Sequence, residues 1–240
     1  MTTRNYDPAV SGRDRSAAPE AVLSEEQRSV ALEIVGKYPN KRSAVLPLLF
    51  LVQSIDGYVS EAGMRDVAHI LELTPAEVLA TGSFYTMLKK RPQGDYLVSV
   101  CRNISCTHRG SRKVIAALVD HLGIELDETT DDGLFTIEAA ECLATCDGAP
   151  SMQVSYEDFY DVTPQTVVEL VESLRAGEEV RSVRGETIKK SRAISYEIAT
   201  AGLRVPGTAG DHQGRTIGGE SPRADTAPSF RPKETGDDDG

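Results

Sequence analysis

Residues 96–106 read YLVSVCRNISC, and residues 141–150 read ECLATCDGAP. The first stretch begins with β-branched and aromatic residues, which predict a strand that ends at Cys101. Cys106 follows after four intervening residues, and Cys142 and Cys146 are separated by three. Between the two pairs lie 35 residues, and the sequence has no other cysteine. These two cysteine-bearing segments are therefore the most informative part of the sequence for both the fold and the chemistry.

The residues around the cysteines predict a small α/β domain over residues 91–176. After the strand at residues 96–101, apolar residues spaced for one helical face follow over residues 109–122. Strand patterns then occupy residues 134–137, 151–156 and 158–162. Thr163-Pro164 predicts the start of a last helix, because Pro suits the first helical position. The order β-α-β-β-β-α indicates a two-layer sandwich.

The residues before this domain predict a small helical bundle over residues 21–90. Ser24-Glu25-Glu26-Gln27 and Thr74-Pro75-Ala76-Glu77 both have the capping-box pattern of helix starts. Ser60 is a further candidate cap. Between them, residues 43–54 are apolar almost all round, which is typical of a buried helix. The predicted fold class is therefore α+β, with a helical part first and an α/β part second.

Both ends of the sequence lack periodic hydrophobic patterns. Residues 1–20 are polar and predicted to be disordered, and residues 177–240 are predicted to form an extended, irregular C-terminal tail. Within that tail, residues 189–203 keep some apolar side chains and are candidates for ordering on a partner.

The composition excludes several classes of function. With a net charge of −11 in 240 residues, the chain offers no basic surface for nucleic acid. No apolar run approaches the roughly 20 residues of a membrane helix, and no signal peptide is evident. We therefore expect a cytoplasmic protein that binds no nucleic acid and has no membrane span. No residue pattern indicates a catalytic site or a nucleotide-binding loop.

The four cysteines leave more than one kind of site open. Thiolates are soft ligands that suit zinc or iron–sulfur clusters. Free thiols and disulfides are less fitting, since clustered cysteines in a reducing compartment favour metal or redox chemistry. Four-cysteine zinc sites prefer tighter spacing, although three and four intervening residues are allowed. A two-iron cluster accepts longer loops. The cysteine spacing alone is compatible with both a zinc site and a two-iron cluster.

Several ordered motifs resemble one family. VCRNISCTHRG, DGLFTIEAAECLATCDGAP and VTPQTVVELVESL are similar to the E-type, thioredoxin-like [2Fe–2S] subunit of respiratory complex I (NADH:quinone oxidoreductase). The upstream helical segment and FYTML resemble the helical half of the same subunit. The resemblance implies a thioredoxin-like domain that carries one [2Fe–2S] cluster, ligated by Cys101, Cys106, Cys142 and Cys146.

The same resemblance implies an electron-transfer role. The cluster would exchange single electrons with FMN in the adjacent NADH-oxidising subunit, within the peripheral arm of a bacterial complex at the inner (plasma) membrane. Other peripheral-arm subunits would be further partners. The alternatives are a four-cysteine zinc-bound adaptor, and the equivalent subunit of an NAD-linked hydrogenase or formate dehydrogenase.

Neighbours of the cysteines are candidates for tuning the cluster. Backbone amides that point at ligating sulfurs offset negative charge and raise the reduction potential. We expect this role for five residues: Ile104, Ser105, Leu143, Ala144 and Thr145. Asp147 stands where the family often has a small or hydroxyl residue. Its carboxylate is expected to lower the potential.

Overall fold

The computed structural model describes residues 23–203, which contain two large hydrophobic cores and a small third cluster of Cys101, Cys106 and Ala149. The predicted disorder of residues 1–20 and the part of the predicted tail beyond residue 203 lie outside the described residues. None of the described helices is long and apolar enough to cross a membrane.

Four N-terminal helices build most of the first core. They are α1 (Glu25–Gly36), α2 (Val45–Asp56), α3 (Glu61–Leu71) and α4 (Pro75–Phe84), with a 3-10 turn at Lys41–Ala44 before α2. Side chains of Ser24, Ser60 and Thr74 accept backbone N–H groups at the starts of α1, α3 and α4, as the sequence predicts. Helix α2 is buried along most of its length and forms the centre of this core.

The second core lies against a four-stranded sheet. Its strands are β1 (Tyr96–Cys101), β2 (Phe135–Ala140), β3 (Met152–Val154) and β4 (Glu157–Phe159), in the order β2-β1-β3-β4. β1 and β2 are parallel, whereas β3 is antiparallel to both β1 and β4. Helices α6 (Ser111–Leu122) and α7 (Pro164–Arg175) pack on the same core as the sheet. A short helix, α5 (Ile104–His108), lies between the first two cysteines, where the sequence predicted only a loop.

The two faces of β1 have different roles, because successive side chains of a strand point to opposite sides. Val98 and Val100 belong to the sheet core. Leu97, Ser99 and Cys101 therefore lie on the other face, although all three are also buried. This second face carries the cysteine site at one end.

The structure corrects the prediction of an irregular tail from residue 177 onward. Residues 178–203 contain a bridged turn (Arg181 with Thr187), helix α8 (Ser191–Thr200) and a 3-10 turn (Ala201–Leu203). Helix α8 packs on α2 and buries Ala199 in the helical core, while Val180 and Ile188 join the sheet core. The segment thus packs on its own chain. This packing is hard to predict from the sequence, because the face of α8 that packs on the rest of the chain is formed by small and polar residues, Ser191, Ser195 and Ala199.

Helix α8 and its neighbours also connect the two cores by hydrogen bonds. The Ser191 amide donates to Asp95 O at 2.7 Å, and its hydroxyl accepts from the Leu97 amide at 3.2 Å. Arg192 donates to the carbonyls of Ile55 and Asp56 at 3.0 and 3.2 Å, at the end of α2. The boundary between the two predicted domains near residue 90 stays a prediction, since both parts meet along this junction.

Candidate cluster-binding site

The cysteine loops meet because β1 and β2 run parallel. Parallel strands end at the same edge of a sheet, and Cys101 is in register with Ala140, the last residue of β2. Cys142 follows Ala140 by two residues, so the second pair begins beside the first. The Arg102 amide donates to Ala140 O at 2.9 Å and holds the ends of the two strands together.

Cys101 and Cys106 form the inner pair, and both are buried. Asn103 caps α5 by accepting the Ile104 amide at 2.8 Å, and this short helix turns Cys106 back toward Cys101. The Cys106 Sγ also lies 3.5 Å from the Ser151 hydroxyl. Helix α5 therefore positions two thiols side by side beneath the surface.

The electrostatics of Cys101 reveal which groups face its sulfur. Burial raises the pKa of the Cys101 thiol, and the neighbouring Cys106 raises it further. Backbone N–H groups of Asn103 and Leu143 act on that pKa in the opposite direction, by donating to the sulfur. Because Leu143 belongs to the second loop, its amide links the two cysteine pairs at one sulfur.

Cys142 and Cys146 form the outer pair, and both are exposed. Between them, Ala144 has a φ of 58°, a left-handed conformation that bends the loop back. Its amide lies 3.4 Å from Cys142 Sγ. Cys146 starts a 3-10 turn that runs to Gly148. The site thus has a buried side and a solvent-facing side.

The five predicted amide donors differ in whether their N–H groups are directed at a cysteine sulfur. Leu143 directs its N–H at Cys101, and Ala144 directs its N–H at Cys142. Ile104 does not: its amide donates to the Asn103 side chain. Thr145 turns its hydroxyl to Ser151 at 2.8 Å, and Ser105 is half-buried within α5. The predicted tuning residue, Asp147, is exposed.

Residues missed by sequence reasoning complete the inner side of the site. The Asn103 amide reaches Cys101, and the Ser151 carbonyl accepts the Cys101 amide at 3.1 Å. Gly148 lets the loop pass close to Tyr160, since a Cβ at this position would lie 2.2 Å from the ring. The proximity of Ser151 depends on the pairing of β1 with β3, which no local signal reveals.

Basic side chains brace both loops. Arg102 pairs with Glu141, which directly precedes Cys142. Arg109, after α5, donates to Ala149 O and lies 3.6 Å from Asp161. The first contact joins the loop of Cys101 and Cys106 to the start of the second loop, and the second joins the segments that follow the two pairs, so the loops are also held from the outside.

The donor set fits a two-iron cluster. Such a cluster takes two thiolates on each iron, with amide N–H groups directed at the sulfurs. The four thiols and the amides of Asn103, Leu143 and Ala144 supply both kinds of group. The fit is one of chemistry and loop placement: within residues 23–203 no group of three His, Cys, Asp or Glu side chains, the four thiols included, lies close enough together to hold a metal ion.

Comparison with known proteins gives a consistent result. The sequence model of the thioredoxin-like [2Fe-2S] ferredoxin family matches residues 31–175. The E subunit of the Mycobacterium tuberculosis NADH-quinone oxidoreductase is 45% identical over 190 residues, which cover 79% of this chain and 75% of that protein. Subunit 2 of the Thermus thermophilus NADH-quinone oxidoreductase is 35% identical over 154 residues, or 63% of this chain and 85% of that protein.

One solved structure shares the fold at lower identity. A chain of an NAD+-reducing [NiFe]-hydrogenase in the H2-reduced state superposes with a TM-score of 0.50 and 20% identity. The likeness covers 55% of this chain and 22% of that chain, and it supports the fold alone.

Proposed function

This chain belongs to the thioredoxin-like [2Fe-2S] ferredoxin family and to the group of E subunits of NADH-quinone oxidoreductases, and we propose from that premise that its four cysteines hold the cluster. Membership makes it an electron-transfer component of an oxidoreductase complex with one [2Fe–2S] cluster. The ligands we assign are Cys101, Cys106, Cys142 and Cys146. The meeting of both loops at Cys101, where Cys106, Ala149 and Leu143 pack in one cluster with it, carries this assignment.

When bound, the cluster supplies one-electron chemistry, and the chain's own groups set its conditions. The amides of Asn103, Leu143 and Ala144 stabilise negative charge on the sulfurs and therefore favour the reduced state. Burial of Cys101 and Cys106 excludes water from one side, whereas the exposed Cys142 and Cys146 leave the other side open. An electron donor would approach from the open side.

The donor we propose is the FMN of an adjacent NADH-oxidising subunit, with other peripheral-arm subunits as neighbours and the complex on the cytoplasmic side of the membrane. The names of the relatives support a quinone-linked complex. The likeness to the hydrogenase supports the fold only, so it does not favour that assembly. The family match favours the cluster over zinc, which the spacing left open.

The ligand set is tested by spectroscopy of the purified full-length chain. We expect visible absorption that bleaches with dithionite and an EPR signal that appears on reduction. Each Cys→Ser change should lower the iron content or alter the EPR signal. Ser29→Ala, an exposed change on α1, is the control and should alter neither. A colourless protein with one bound zinc would refute the assignment.

Exchange of electrons with FMN needs a separate experiment. The chain is mixed with its flavin-bearing partner, and NADH is added in a stopped-flow spectrometer. We expect cluster bleaching to follow flavin reduction. A cluster that stays oxidised while the flavin is reduced, although dithionite reduces it, would contradict the proposed donor.

A further inference from the structure

The sheet face that carries Cys101 also carries a hydrogen-bonded pair of polar side chains, Ser99 and Glu138. Ser99 precedes Cys101 by two residues on β1, so both side chains lie on the face opposite Val98 and Val100. Ser99 is in register with Glu138 of β2, and its hydroxyl donates to Glu138 Oε1 at 2.7 Å. A carboxylate is thereby held on the same face as a proposed cluster ligand.

A lysine from the helical side neutralises this carboxylate. Lys89 Nζ lies 2.7 Å from Glu138 Oε2, and the side chains are only 13% and 26% exposed. The backbone of Lys89 is fixed as well: its amide donates to Gln53 Oε1 and its carbonyl accepts from the Val59 amide, both at 2.7 Å. The cation is therefore positioned by the helical part and reaches across the junction to the sheet.

The pair lies close enough to Cys101 to act on it. Two residues along a strand span about 7 Å, so the Glu138 carboxylate is on the order of 10 Å from the Cys101 sulfur. This is comparable to the screening length in physiological salt, and partly buried charges are screened less than exposed ones.

Other charges on this side are balanced or neutral. Asp158 of β4 accepts a hydrogen bond from Gln153 of β3 at 2.9 Å. Its carboxylate is also paired with Arg184 at 3.3 Å. Burial, and then the charge of Glu138, raise the pKa of Tyr156, so this phenol stays neutral. Arg102 and Glu141, beside the cysteines, are also paired but lie 54% and 77% exposed, whereas Lys89 and Glu138 are a partly buried pair that adds net charge near Cys101 if one partner is lost.

We propose that the Lys89–Glu138 ion pair sets the reduction potential of the cluster, by cancelling a carboxylate charge that would otherwise oppose the incoming electron. The helical part thereby influences the redox centre although it supplies no ligand. This inference rests on the proposed cluster ligation by Cys101.

The test is a redox titration of the full-length chain with its cluster, followed by EPR. Lys89→Met leaves the carboxylate unbalanced and should lower the potential. Glu138→Gln leaves the ammonium unbalanced and should raise it. The double variant restores neutrality, and its potential should shift less than that of either single variant.

A matched control is the ion pair of Lys41 with Glu72, also 2.7 Å apart but 55% and 75% exposed in the helical part. Lys41→Met and Glu72→Gln should leave the potential unchanged. Unchanged potentials in the Lys89 and Glu138 variants, or single shifts of the same sign, would overturn the proposal. Loss of the cluster from these variants would also overturn it, since the pair would then hold the site instead of tuning it. A wild-type chain without a cluster signal would instead refute the ligand assignment.

Discussion

Gln53 occupies the junction of the two cores and offers a direct test of how that junction is stabilised. Its side chain is 4% exposed and makes three hydrogen bonds. The amide oxygen accepts the Lys89 N–H at 2.7 Å, and the amide nitrogen donates to Met87 O at 3.2 Å and to Ser195 Oγ at 3.1 Å. Gln53→Met keeps the approximate volume and removes all three.

The cost of this change follows from the partners left behind. Met87 O keeps a second donor, the Tyr156 hydroxyl at 3.1 Å. In the variant, the Lys89 backbone N–H loses its acceptor, Gln53 Oε1, and the Ser195 hydroxyl loses its hydrogen bond to α2. Each buried polar group without a partner costs about 1–3 kcal/mol, and the thioether regains some apolar contact, so we expect a loss of about 2–4 kcal/mol. For a chain of this size that corresponds to a melting temperature lower by about 5–15 °C.

The assay is differential scanning calorimetry of the chain with its cluster, at one fixed scan rate, since loss of the cluster makes unfolding irreversible. Gln165→Met on the exposed face of α7 is the matched control and should change the melting temperature little. If the Gln53→Met variant has the same melting temperature as the Gln165→Met control, the view that the Gln53 amide stabilises the junction is refuted.

Three other variants test neighbouring contacts. Asp147→Asn should raise the potential in a redox titration, but by less than Glu138→Gln, because Asp147 is exposed to water; no shift or a drop would contradict this. Ending the chain at Gly177 should lower the melting temperature of the helical part, measured by circular dichroism, relative to a chain that ends at Leu203, because only the shorter chain loses α8 from α2. Gly148→Val should lower the cluster content, measured as iron per chain, because its Cβ would lie 2.2 Å from the Tyr160 ring, whereas Gly36→Val, in open space, should keep it.

Local signals predicted most elements of the fold. The capping residues Ser24, Thr74 and Thr163 start α1, α4 and α7, and the β-rich run before Cys101 is β1. The signals failed where stability comes from distant contacts. Helix α8 has no side-chain cap at Lys190 and no wide apolar stripe, and it is held by residues more than 90 positions earlier in the sequence.

The candidate site divides in the same way. Cysteine spacing made the four thiols the candidate ligands and loop position made the amides of Leu143 and Ala144 candidate donors, and these roles stay predictions. Ser151 and the Lys89–Glu138 pair could not be found this way, because strand register and junction packing bring them together. Ile104 was a reasonable candidate, but a residue directly after Asn103 gives its amide to the cap.

The bond between Gln53 and Ser195 also has a consequence for synthesis on the ribosome. The two residues are 142 positions apart. At elongation rates of about 5–20 residues per second, α2 waits roughly 7–30 s for the helix that covers it. All four cysteines emerge during this interval, before the junction can close. The nascent chain therefore presents its thiols while the part of α2 that α8 covers is still exposed.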